Sequence, residues 1–481
     1  MNTALPPPAP GTDPAPNLSF DQLPLAPATL ANLRQLGYHA MTPIQAASLP
    51  PALAGQDLIA QAKTGSGKTA AFALCLLAKL NPRRFAVQAL VLCPTRELAD
   101  QVAQEIRRLA RGEDNIKVLT LCGGSTMRPQ MSSLEHGAHV VVGTPGRIMD
   151  HLQRASLDLS ALDTLVLDEA DRMLDMGFYD DIAFVAKACP KERQTLLFSA
   201  TYPEGIAGLS RQFLRQPQQV TLHEQHEPGK IRQRFYEVEP DQKLAAVALL
   251  LQHYRPVSTL AFCNTRQQCR DLLQVLRAEG FVALALHGEM EQRERDQVLI
   301  QFANRSCSVL VATDVAARGL DIDQLEAVIN VDVTPDTEIH VHRIGRTGRV
   351  DQEGWAFSLV SGHQMARVDN IEKALGHEIE WHLLSELRVA GKSRKPLLPP
   401  MATLLILGGR KEKIRPGDVL GALTGEAGFS KEQIGKIKVT EASTYVAVER
   451  GIAKEVVRKL SAGTVKGKRV KVHLLQETAG A

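Results

Sequence analysis

The chain has 481 residues, 44% of them hydrophobic, and a formal net charge of +3. At about 150 residues per domain, this length predicts roughly three domains, each able to bury its own core. No apolar run reaches the ~18 residues that a membrane span needs, so a membrane protein is not expected. The seven cysteines are scattered without a CxxC pair, which favours reduced core thiols over metal or disulfide roles.

The first 16 residues are rich in proline and almost uncharged. This composition predicts a disordered lead-in, because it offers little apolar surface to bury. The segment has no basic region followed by an apolar core, so it does not read as a secretory signal.

Residues 57–220 alternate short apolar runs with helix-patterned stretches, which predicts parallel strands covered by helices. The predicted strands are 57–62, 88–94, 139–143, 164–170 and 194–200, and the predicted helices include 69–80, 95–110 and 144–152. The first α/β domain is therefore expected to span residues 17–222.

A helix-poor break at 223–230 precedes a second region with the same alternation. Its predicted strands are 258–263, 282–288, 307–313, 326–333 and 355–360. We expect a second α/β domain over residues 223–385 and a linker over 386–400. Two such lobes predict a ligand cleft between them, since ligands of open α/β sheets gather where strands end.

The turn AKTGSGKT follows a predicted strand and opens a predicted helix. Glycines there let backbone N–H groups surround phosphate oxygens, and the helix N-terminus adds positive charge. Lys68 is positioned to reach the β- and γ-phosphates of a nucleotide, and the Thr69 hydroxyl to bind Mg²⁺. Ala62 replaces the glycine that usually begins this pattern. The predicted nucleotide contacts in the turn are Ala62, Lys63, Thr64, Gly65, Ser66, Gly67, Lys68 and Thr69.

In LVLDEADRMLD, an apolar run ends at three acids in four positions. Carboxylates this close repel one another, so a cation is expected nearby. Asp168 ends a predicted strand where an Mg²⁺-binding acid belongs, and Glu169 is a candidate to polarise the attacking water. Asp171 is expected to couple this site to another motif. Without the phosphate-binding turn, these acids would suit an ordinary helix N-terminus.

Residues 401–477 predict the order βαββαβ, the arrangement of an RRM-like α+β domain. Residues 401–481 contain 15 basic and 8 acidic residues, whereas the rest of the chain contains 41 and 45. This asymmetry suggests a polyanionic partner for the module, and charge alone leaves a merely soluble surface open as the alternative. Its strands carry a single aromatic residue, Tyr445, for which a core role and a base-stacking role both remain open. The basic residues form two clusters, Arg410, Lys411, Lys413 and Arg415 in one and Lys466, Lys468, Arg469 and Lys471 in the other.

Together these motifs resemble the DEAD-box RNA helicases. The residues that carry the resemblance are GYHAMTPIQ (37–45), PTRELA (94–99), Gly123-Gly124, TPGR (144–147), DEAD (168–171), SAT (199–201), FCNTR (262–266), Gln292 with Arg295, TDVAARGLD (313–321) and HRIGRTGR (342–349). The resemblance implies two tandem RecA-like parallel-sheet domains, followed by the RRM-like domain, and an RNA-stimulated ATPase that uses Mg²⁺.

The resemblance also implies site residues. Gln45 would read adenine, Phe20 would stack on the base and Asp321 would contact the ribose. Arg346 and Arg349 resemble arginine fingers, and His342 resembles a residue of the water network. Asp171, Ser199 and Thr201 would couple the ATP and RNA sites. The implied RNA contacts are Thr95, Arg96, Gly124, Thr144, Gly146 and Arg147 in the first lobe and Thr265, Arg295 and Thr313 in the second.

The stretches RPGDVLGALTG, IGKI and VKGKRVKV resemble the DbpA branch of this family. That branch implies large-subunit ribosomal RNA and pre-ribosomal particles as partners, with Lys466, Lys468, Arg469 and Lys471 as RNA contacts. We expect a cytoplasmic monomer that separates short RNA duplexes during ribosome assembly. An ATP-gated RNA clamp is the alternative from another class, and a DNA translocase is a third. For the C-terminal module alone, a protein-docking domain of the same fold is the alternative.

Overall fold

The computed structural model describes residues 19–62, 65–113, 115–201, 204–222, 231–317, 325–348, 353–388 and 397–475. The predicted disordered lead-in, residues 1–16, lies outside this part of the chain. Two units form, residues 1–225 and 226–481. The first is lobe 1; the second contains lobe 2 (residues 231–388) and the C-terminal domain (residues 397–475).

Lobe 1 is built on a parallel sheet whose strands follow the order β3-β4-β2-β5-β6-β1-β7. Its strands are β1 (Leu58–Gln61), β2 (Ala89–Leu92), β3 (Val118–Leu121), β4 (Val140–Gly143), β5 (Thr164–Asp168), β6 (Gln194–Ser199) and β7 (Gln218–Thr221). Its helices are α1 (Pro27–Gln35), α2 (Pro43–Leu53), α3 (Lys68–Lys79), α4 (Arg96–Leu109), α5 (Met127–Glu135), α6 (Pro145–Gln153), α7 (Ala170–Asp175), α8 (Tyr179–Ala188) and α9 (Glu204–Phe213). Two buried apolar clusters cover its two faces.

Lobe 2 repeats this architecture, with parallel strands in the order β10-β11-β9-β12-β13-β8-β14. The strands are β8 (Ile231–Glu237), β9 (Thr259–Cys263), β10 (Ala283–Leu286), β11 (Val309–Thr313), β12 (Ala327–Asn330), β13 (Gly354–Val360) and β14 (Trp381–His382). The helices are α10 (Lys243–Tyr254), α11 (Arg266–Ala278), α12 (Gln292–Ala303), α13 (Asp314–Ala317), α14 (Thr337–Ile344) and α15 (Met365–Leu375).

The C-terminal domain has the predicted order βαββαβ around an antiparallel sheet, β16-β17-β15-β18. Its elements are β15 (Met401–Leu407), α16 (Pro416–Gly421), β16 (Ile434–Val439), β17 (Thr444–Glu449), α17 (Ala453–Ala462) and β18 (Lys471–Leu474). The predicted fold class is thus confirmed for all three parts. The first predicted helix is shorter than expected, because a π-helical turn at 422–426 follows α16.

Four strands were not predicted from the sequence: β3, β7, β8 and β14. Three of them, β3, β7 and β14, are edge strands of their sheets, and the fourth, β8, is next to the two-residue strand β14. Edge strands bury less of their surface, so β7, β8 and β14 carry polar residues and give a weak apolar signal. The remaining strand, β3, is mostly apolar but has only four residues.

All seven cysteines are buried and free, as expected of core thiols. Within the described residues, every helix is too short or too polar to cross a bilayer.

His340 in α14 is fully buried, and among the described residues neither ring nitrogen has a hydrogen-bond partner. Its ring packs on Phe235, with ring centroids 5.9 Å apart. Burial, together with the positive charge of Arg343, lowers the pKa of His340 to about 4. Because an unfolded histidine titrates near pH ~6.5, the unfolded chain binds this proton more readily. Lobe 2 therefore loses stability as the pH falls from about 6.5 toward 4.

We predict that His340→Phe removes much of this acid sensitivity, up to about 3 kcal/mol of unfolding free energy between pH 7.5 and pH 4. Both tryptophans, Trp355 and Trp381, lie in lobe 2, so urea unfolding followed by tryptophan fluorescence reports this lobe. His377→Gln, at an exposed histidine, is the control. Equal acid sensitivity in the wild type and His340→Phe would contradict the prediction.

Candidate functional site

Three neighbouring strands of lobe 1 place the predicted nucleotide residues at the carboxyl end of the sheet. Strands β5, β6 and β1 are adjacent and parallel, with Asp168 paired to Phe198 and Gln61 paired to Ser199. Their carboxyl ends therefore lie together, where α/β proteins bind ligands. The phosphate-binding turn follows β1, and the acidic motif follows β5.

Two glycines of the phosphate-binding turn have backbone conformations that other residues disfavour. Gly65 and Gly67 have φ of 82° and 95°, a left-handed conformation that side chains disfavour. A Cβ atom on Gly67 would lie 2.6 Å from Nε2 of Gln45. Ala62 has no positive φ, which explains why alanine is tolerated where the usual pattern has glycine. The predicted contacts Lys63 and Thr64 lie outside the described residues.

Lys68 is the first residue of α3 and is buried. Its Nζ atom donates to the carbonyl oxygen of Ala62 at 2.5 Å. Burial lowers the pKa of Lys68, and the carboxylates of Asp168, Glu169 and Asp171 oppose this shift. Lys68 therefore supplies part of the positive charge that was expected near the acidic motif.

Asp168 and Glu169 are both buried at the end of β5. Burial and, to a smaller extent, repulsion from Glu169 raise the pKa of Asp168 to about 7, although Lys68 opposes the shift. Glu169 has a left-handed backbone, φ 53°, which costs a non-glycine residue about 1 kcal/mol or more. Its Oε2 atom accepts from Nη1 of Arg172 at 2.8 Å, and both side chains are 8% exposed. Arg172 received no role from the sequence.

Asp171 binds the SAT segment at the end of β6. Its Oδ2 atom accepts from the amides of Ala200 and Thr201 at 3.1 and 2.9 Å, and from the Thr201 hydroxyl at 3.1 Å. Its Oδ1 atom accepts from the amide of Arg172 at 3.0 Å. The Ser199 hydroxyl is buried and has no hydrogen-bond partner among the described residues.

Gln45 is buried at the first turn of α2, and both ends of its amide are used within the protein. Its Oε1 atom accepts from the amide of Thr42 at 2.9 Å, and Nε2 donates to the carbonyl oxygen of Gly67 at 3.1 Å. Each end retains capacity for one more hydrogen bond. Phe20 is also buried and packs edge-on against Tyr38. Reading and stacking of adenine by these residues stay predictions.

The predicted RNA residues of lobe 1 fall into two groups, one at the start of α4 and in the GG loop, and one at the start of α6. Thr95 caps α4, and its hydroxyl accepts from the amide of Leu98 at 3.3 Å. Gly124, with φ 73°, makes room for Arg96: a Cβ atom there would lie 1.5 Å from the Arg96 guanidinium. Thr144 occupies the N-cap position of α6 without a side-chain hydrogen bond to the helix, and Gly146 and Arg147 follow in the first turn.

Gln130 joins these groups and was not found from the sequence, where no motif marks it. Its Nε2 atom donates to the carbonyl oxygen of Cys122 at 2.9 Å and to the Ser125 hydroxyl at 2.7 Å. Its Oε1 atom accepts from Nη1 of Arg147 at 3.0 Å. The guanidinium of Arg147 also donates to the carbonyl oxygen of Ser125 at 3.2 Å. The GG loop and the TPGR turn are thereby held together.

In lobe 2, the predicted residues again lie at strand ends and helix starts. Thr265 caps α11, accepting from the amide of Gln268 at 3.1 Å, and Thr313 ends β11. Arg295 donates to the carbonyl oxygen of Ala316 at 3.5 Å. His342 lies in α14, and Arg346 is buried just after it. Asp321 and Arg349 lie outside the described residues.

Arg343 lies between His342 and Arg346 in HRIGRTGR, but no role was predicted for it. It is 2% exposed, and its guanidinium lies 5.0 Å from the centre of the Phe262 ring. It donates to both Asp314 carboxylate oxygens, at 2.7 and 2.6 Å. Further donations reach Asn264 and Asn330, both at 3.2 Å. This arginine joins three of the predicted motifs of lobe 2.

The two basic clusters of the C-terminal domain, about 50 residues apart in sequence, meet in the fold. The Nζ atom of Lys466 donates to the carbonyl oxygen of Lys413 at 2.6 Å. All members of both clusters are exposed: Arg410, Lys411, Lys413, Arg415, Lys466, Lys468, Arg469 and Lys471. We call this surface the cationic edge. Tyr445, in contrast, is buried, so β15 and β17 offer no exposed aromatic ring.

We predict that Asp171→Asn loosens the SAT segment. The neutral amide accepts hydrogen bonds more weakly than the carboxylate, so the bonds from Ala200 and Thr201 weaken whichever position the new NH₂ group takes. Amide exchange at Ala200 or Thr201 should quicken by about tenfold, since losing the charge of the acceptor costs roughly 1.4 kcal/mol. Hydrogen exchange measured by mass spectrometry tests this, with Asp180→Asn at an exposed acid as the control. Unchanged exchange at both amides would contradict it.

Comparison with known families matches all three parts of the chain. Residues 42–209 match the DEAD/DEAH box helicase family, residues 242–351 the helicase conserved C-terminal domain, and residues 403–474 the DbpA RNA binding domain. Two solved structures share the fold of the two lobes. S. cerevisiae Dbp5 bound to RNA and ADP BeF3 is 30% identical with a TM-score of 0.70, over 76% of this chain and 96% of that one. Mss116p bound to ssRNA and AMP-PNP is 26% identical with a TM-score of 0.69, over 78% and 81%.

Two curated relatives extend the match. The ATP-dependent RNA helicase DbpA of Escherichia coli is 51% identical over 452 residues, which cover 94% of this chain and 98% of that protein. The DEAD-box ATP-dependent RNA helicase CshA of Bacillus cereus is 40% identical over 363 residues, 75% of this chain and 69% of that protein. With the phosphate-binding turn, the acidic motif and the SAT segment joined at one sheet edge, the chain belongs to the DEAD-box ATP-dependent RNA helicases, in the DbpA branch.

Proposed function

We propose that this helicase separates short duplexes in large-subunit ribosomal RNA during ribosome assembly, acting as a cytoplasmic monomer. The observation that carries the target is the cationic edge, in which two distant basic segments form one exposed surface on the C-terminal domain. A surface of clustered lysine and arginine without exposed aromatic rings suits the phosphates of a folded RNA. The two lobes supply the ATP-dependent step, and the C-terminal domain supplies the target preference.

For the ATP step, we propose that Lys68 and the turn around it hold the phosphates while Glu169 orients and polarises the attacking water. Thr69 and Asp168 offer oxygen ligands of the kind that Mg²⁺ prefers, and they would hold the ion together with the nucleotide. No cluster of three or more metal-binding side chains occurs in the described residues, which fits an ion brought in by ATP. When bound, Mg²⁺ would neutralise charge on the phosphates.

Arg346 and Arg349 of lobe 2 are proposed to stabilise the charge that develops on the transferred phosphate. An arginine in this role typically contributes about 10³–10⁵ in rate. Because catalytic groups then come from both lobes, hydrolysis depends on their closure. His342 and Asp321 are proposed as the water-network and ribose residues.

RNA is proposed to bind Thr95, Arg96, Gly124, Thr144, Gly146 and Arg147 in lobe 1 and Thr265, Arg295 and Thr313 in lobe 2. These hydroxyl, glycine and basic residues suit the sugar–phosphate backbone better than base edges. The two lobes should therefore show little sequence preference, which leaves selection of the target to the cationic edge. Asp171, Ser199 and Thr201 would couple the two sites.

We predict that Glu169→Gln lowers RNA-stimulated kcat for ATP by about 10²–10⁴-fold, the range of a lost general base. The KM for ATP and the affinity for RNA should stay within about threefold, because the new amide oxygen still accepts from Arg172. Steady-state ATPase and RNA-binding assays test this, with Glu135→Gln at an exposed glutamate as the control. Full turnover in Glu169→Gln would move the water-polarising role to another residue.

A clamp that closes on RNA without releasing a strand needs the same ATP and RNA residues. The two functions differ in their product: a helicase releases a strand from a short duplex, whereas a clamp hydrolyses ATP while the duplex stays intact. A labelled-strand release assay on an RNA duplex separates them. A matched duplex with a DNA loading strand tests the DNA alternative in the same assay.

For the target, we predict that Lys468→Glu with Arg469→Glu lowers the preference for ribosomal RNA by about tenfold or more, since each phosphate contact contributes to affinity and to its salt dependence. ATPase stimulation by purified large-subunit ribosomal RNA, compared with poly(U), is the measurement. Lys431→Glu with Lys454→Glu, at exposed lysines of the same domain, is the matched control. Equal stimulation of the wild type by both RNAs would overturn the ribosomal assignment.

A further inference from the structure

Glu169 occupies the N-cap position of α7, where a side-chain oxygen usually accepts from an amide of the first helical turn. The Glu169 carboxylate makes no such hydrogen bond. One of the amides that it would be expected to reach, that of Arg172 at the third helical position, already donates to Oδ1 of Asp171 at 3.0 Å. The carboxylate is therefore not held by the backbone of its own helix, and another group must fix its direction.

The guanidinium of Arg172 is that group. Its Nη1 atom donates to Oε2 of Glu169, and both side chains are almost completely buried. A hydrogen bond between two buried charged groups is short and strong, so it restrains the direction of the carboxylate. The second oxygen of Glu169, Oε1, accepts no hydrogen bond from the residues that the structure describes. One oxygen is thus anchored, and the other is left for a water molecule.

Stability alone does not explain this pair. Removing two charges from water costs about as much free energy as their attraction returns, so a buried ion pair is weak evidence for stabilisation. The backbone at Glu169 is also left-handed, a conformation that is unfavourable for any residue except glycine and that is typical of functional sites. A strained backbone and an anchored side chain together fix where this carboxylate lies.

Arg172 also lies near the phosphate-binding turn. Burial lowers the pKa of Lys68, the three carboxylates of the acidic motif oppose this shift, and the positive charge of Arg172 favours it. A direct contact between Arg172 and a phosphate is therefore the alternative role. The two roles differ in what they require. Positioning acts only through Glu169, whereas a phosphate contact would act without Glu169 and would strengthen the binding of ATP.

We infer that Arg172 is a positioning residue for ATP hydrolysis: it holds Oε2 of Glu169 so that Oε1 faces the attacking water. The inference rests on the proposed role of Glu169 as the residue that polarises this water. Without the guanidinium, the Glu169 carboxylate can turn away from the water. A misplacement of about 1 Å can cost about 10²-fold in rate, so the loss should appear in kcat rather than in the binding of ATP.

Arg172→Gln in the full-length protein tests this. With saturating large-subunit ribosomal RNA, we expect kcat for ATP to fall by about 10–100-fold. The KM for ATP and the affinity for ADP should stay within about threefold, and the retained ADP binding shows that lobe 1 is folded. Arg172→Lys keeps the positive charge but not the planar fork of donors, so its kcat should lie between the two. Arg84→Gln, which removes an exposed ion pair with Asp163, is the matched control.

A double-mutant cycle, measured by single-turnover hydrolysis, separates positioning from the alternative role. In the Glu169→Gln background, Arg172→Gln should change the rate by less than about threefold, because the carboxylate that Arg172 positions is already gone. The same cycle with Arg172→Lys decides the matter if Arg172→Gln does not bind ADP.

Three results would overturn the inference: a larger further loss in the Glu169→Gln background, a KM for ATP raised beyond about threefold in a variant that still binds ADP, or a wild-type kcat in the Arg172 variants. A slow Glu169→Gln beside fast Arg172 variants would overturn this inference alone and leave the proposed function intact. Full turnover in Glu169→Gln would overturn the role proposed for Glu169, and this inference with it.

Discussion

Three carboxylates within four residues are buried in lobe 1, and the surrounding site is organised by how their charge is balanced. Glu169 is paired with Arg172, and Asp171 accepts hydrogen bonds from backbone amides and a hydroxyl at the end of β6. The positive charge of Lys68 interacts favourably with the carboxylate of Asp168. A buried carboxylate without such partners would be strongly destabilising. The acids therefore bring the phosphate-binding turn, β5 and β6 together.

In lobe 2 the buried charged group that joins the motifs is positive rather than negative. The buried guanidinium of Arg343 uses its fixed fork of donors to reach Asp314, Asn264 and Asn330, which lie at the ends of three strands. A lysine could not span these acceptors in one plane. The arginine thereby sets where α14 lies against the sheet, and α14 leads directly to Arg346. In both lobes a buried charge, rather than the apolar core, determines how the motifs meet.

The contact of the C-terminal domain with lobe 2 and the exposed basic residues of that domain lie on different parts of its surface. Its sheet face meets lobe 2 through buried hydrogen bonds that join Thr403 to Ser306 and Asn304, whereas its charges lie at the other end of β15. Aromatic rings on this sheet face would compete for the area that the contact with lobe 2 covers.

Local patterns in the sequence were sufficient to predict the fold class, most strands, the phosphate-binding turn, the acidic motif and the family, because each depends on residues a few positions apart. Four strands near sheet edges were missed: β7, β8 and β14 carry polar residues and give little apolar signal, and β3 has only four residues. The contacts of Gln130, Arg343, Lys466 and Thr403 emerged only from the tertiary structure. Each joins segments separated by 17 to 99 residues, and nothing in a local pattern specifies which distant acceptor a donor will reach. The sequence thus determined which chemistry is present, and the packing of strand ends and turns decided where each group acts.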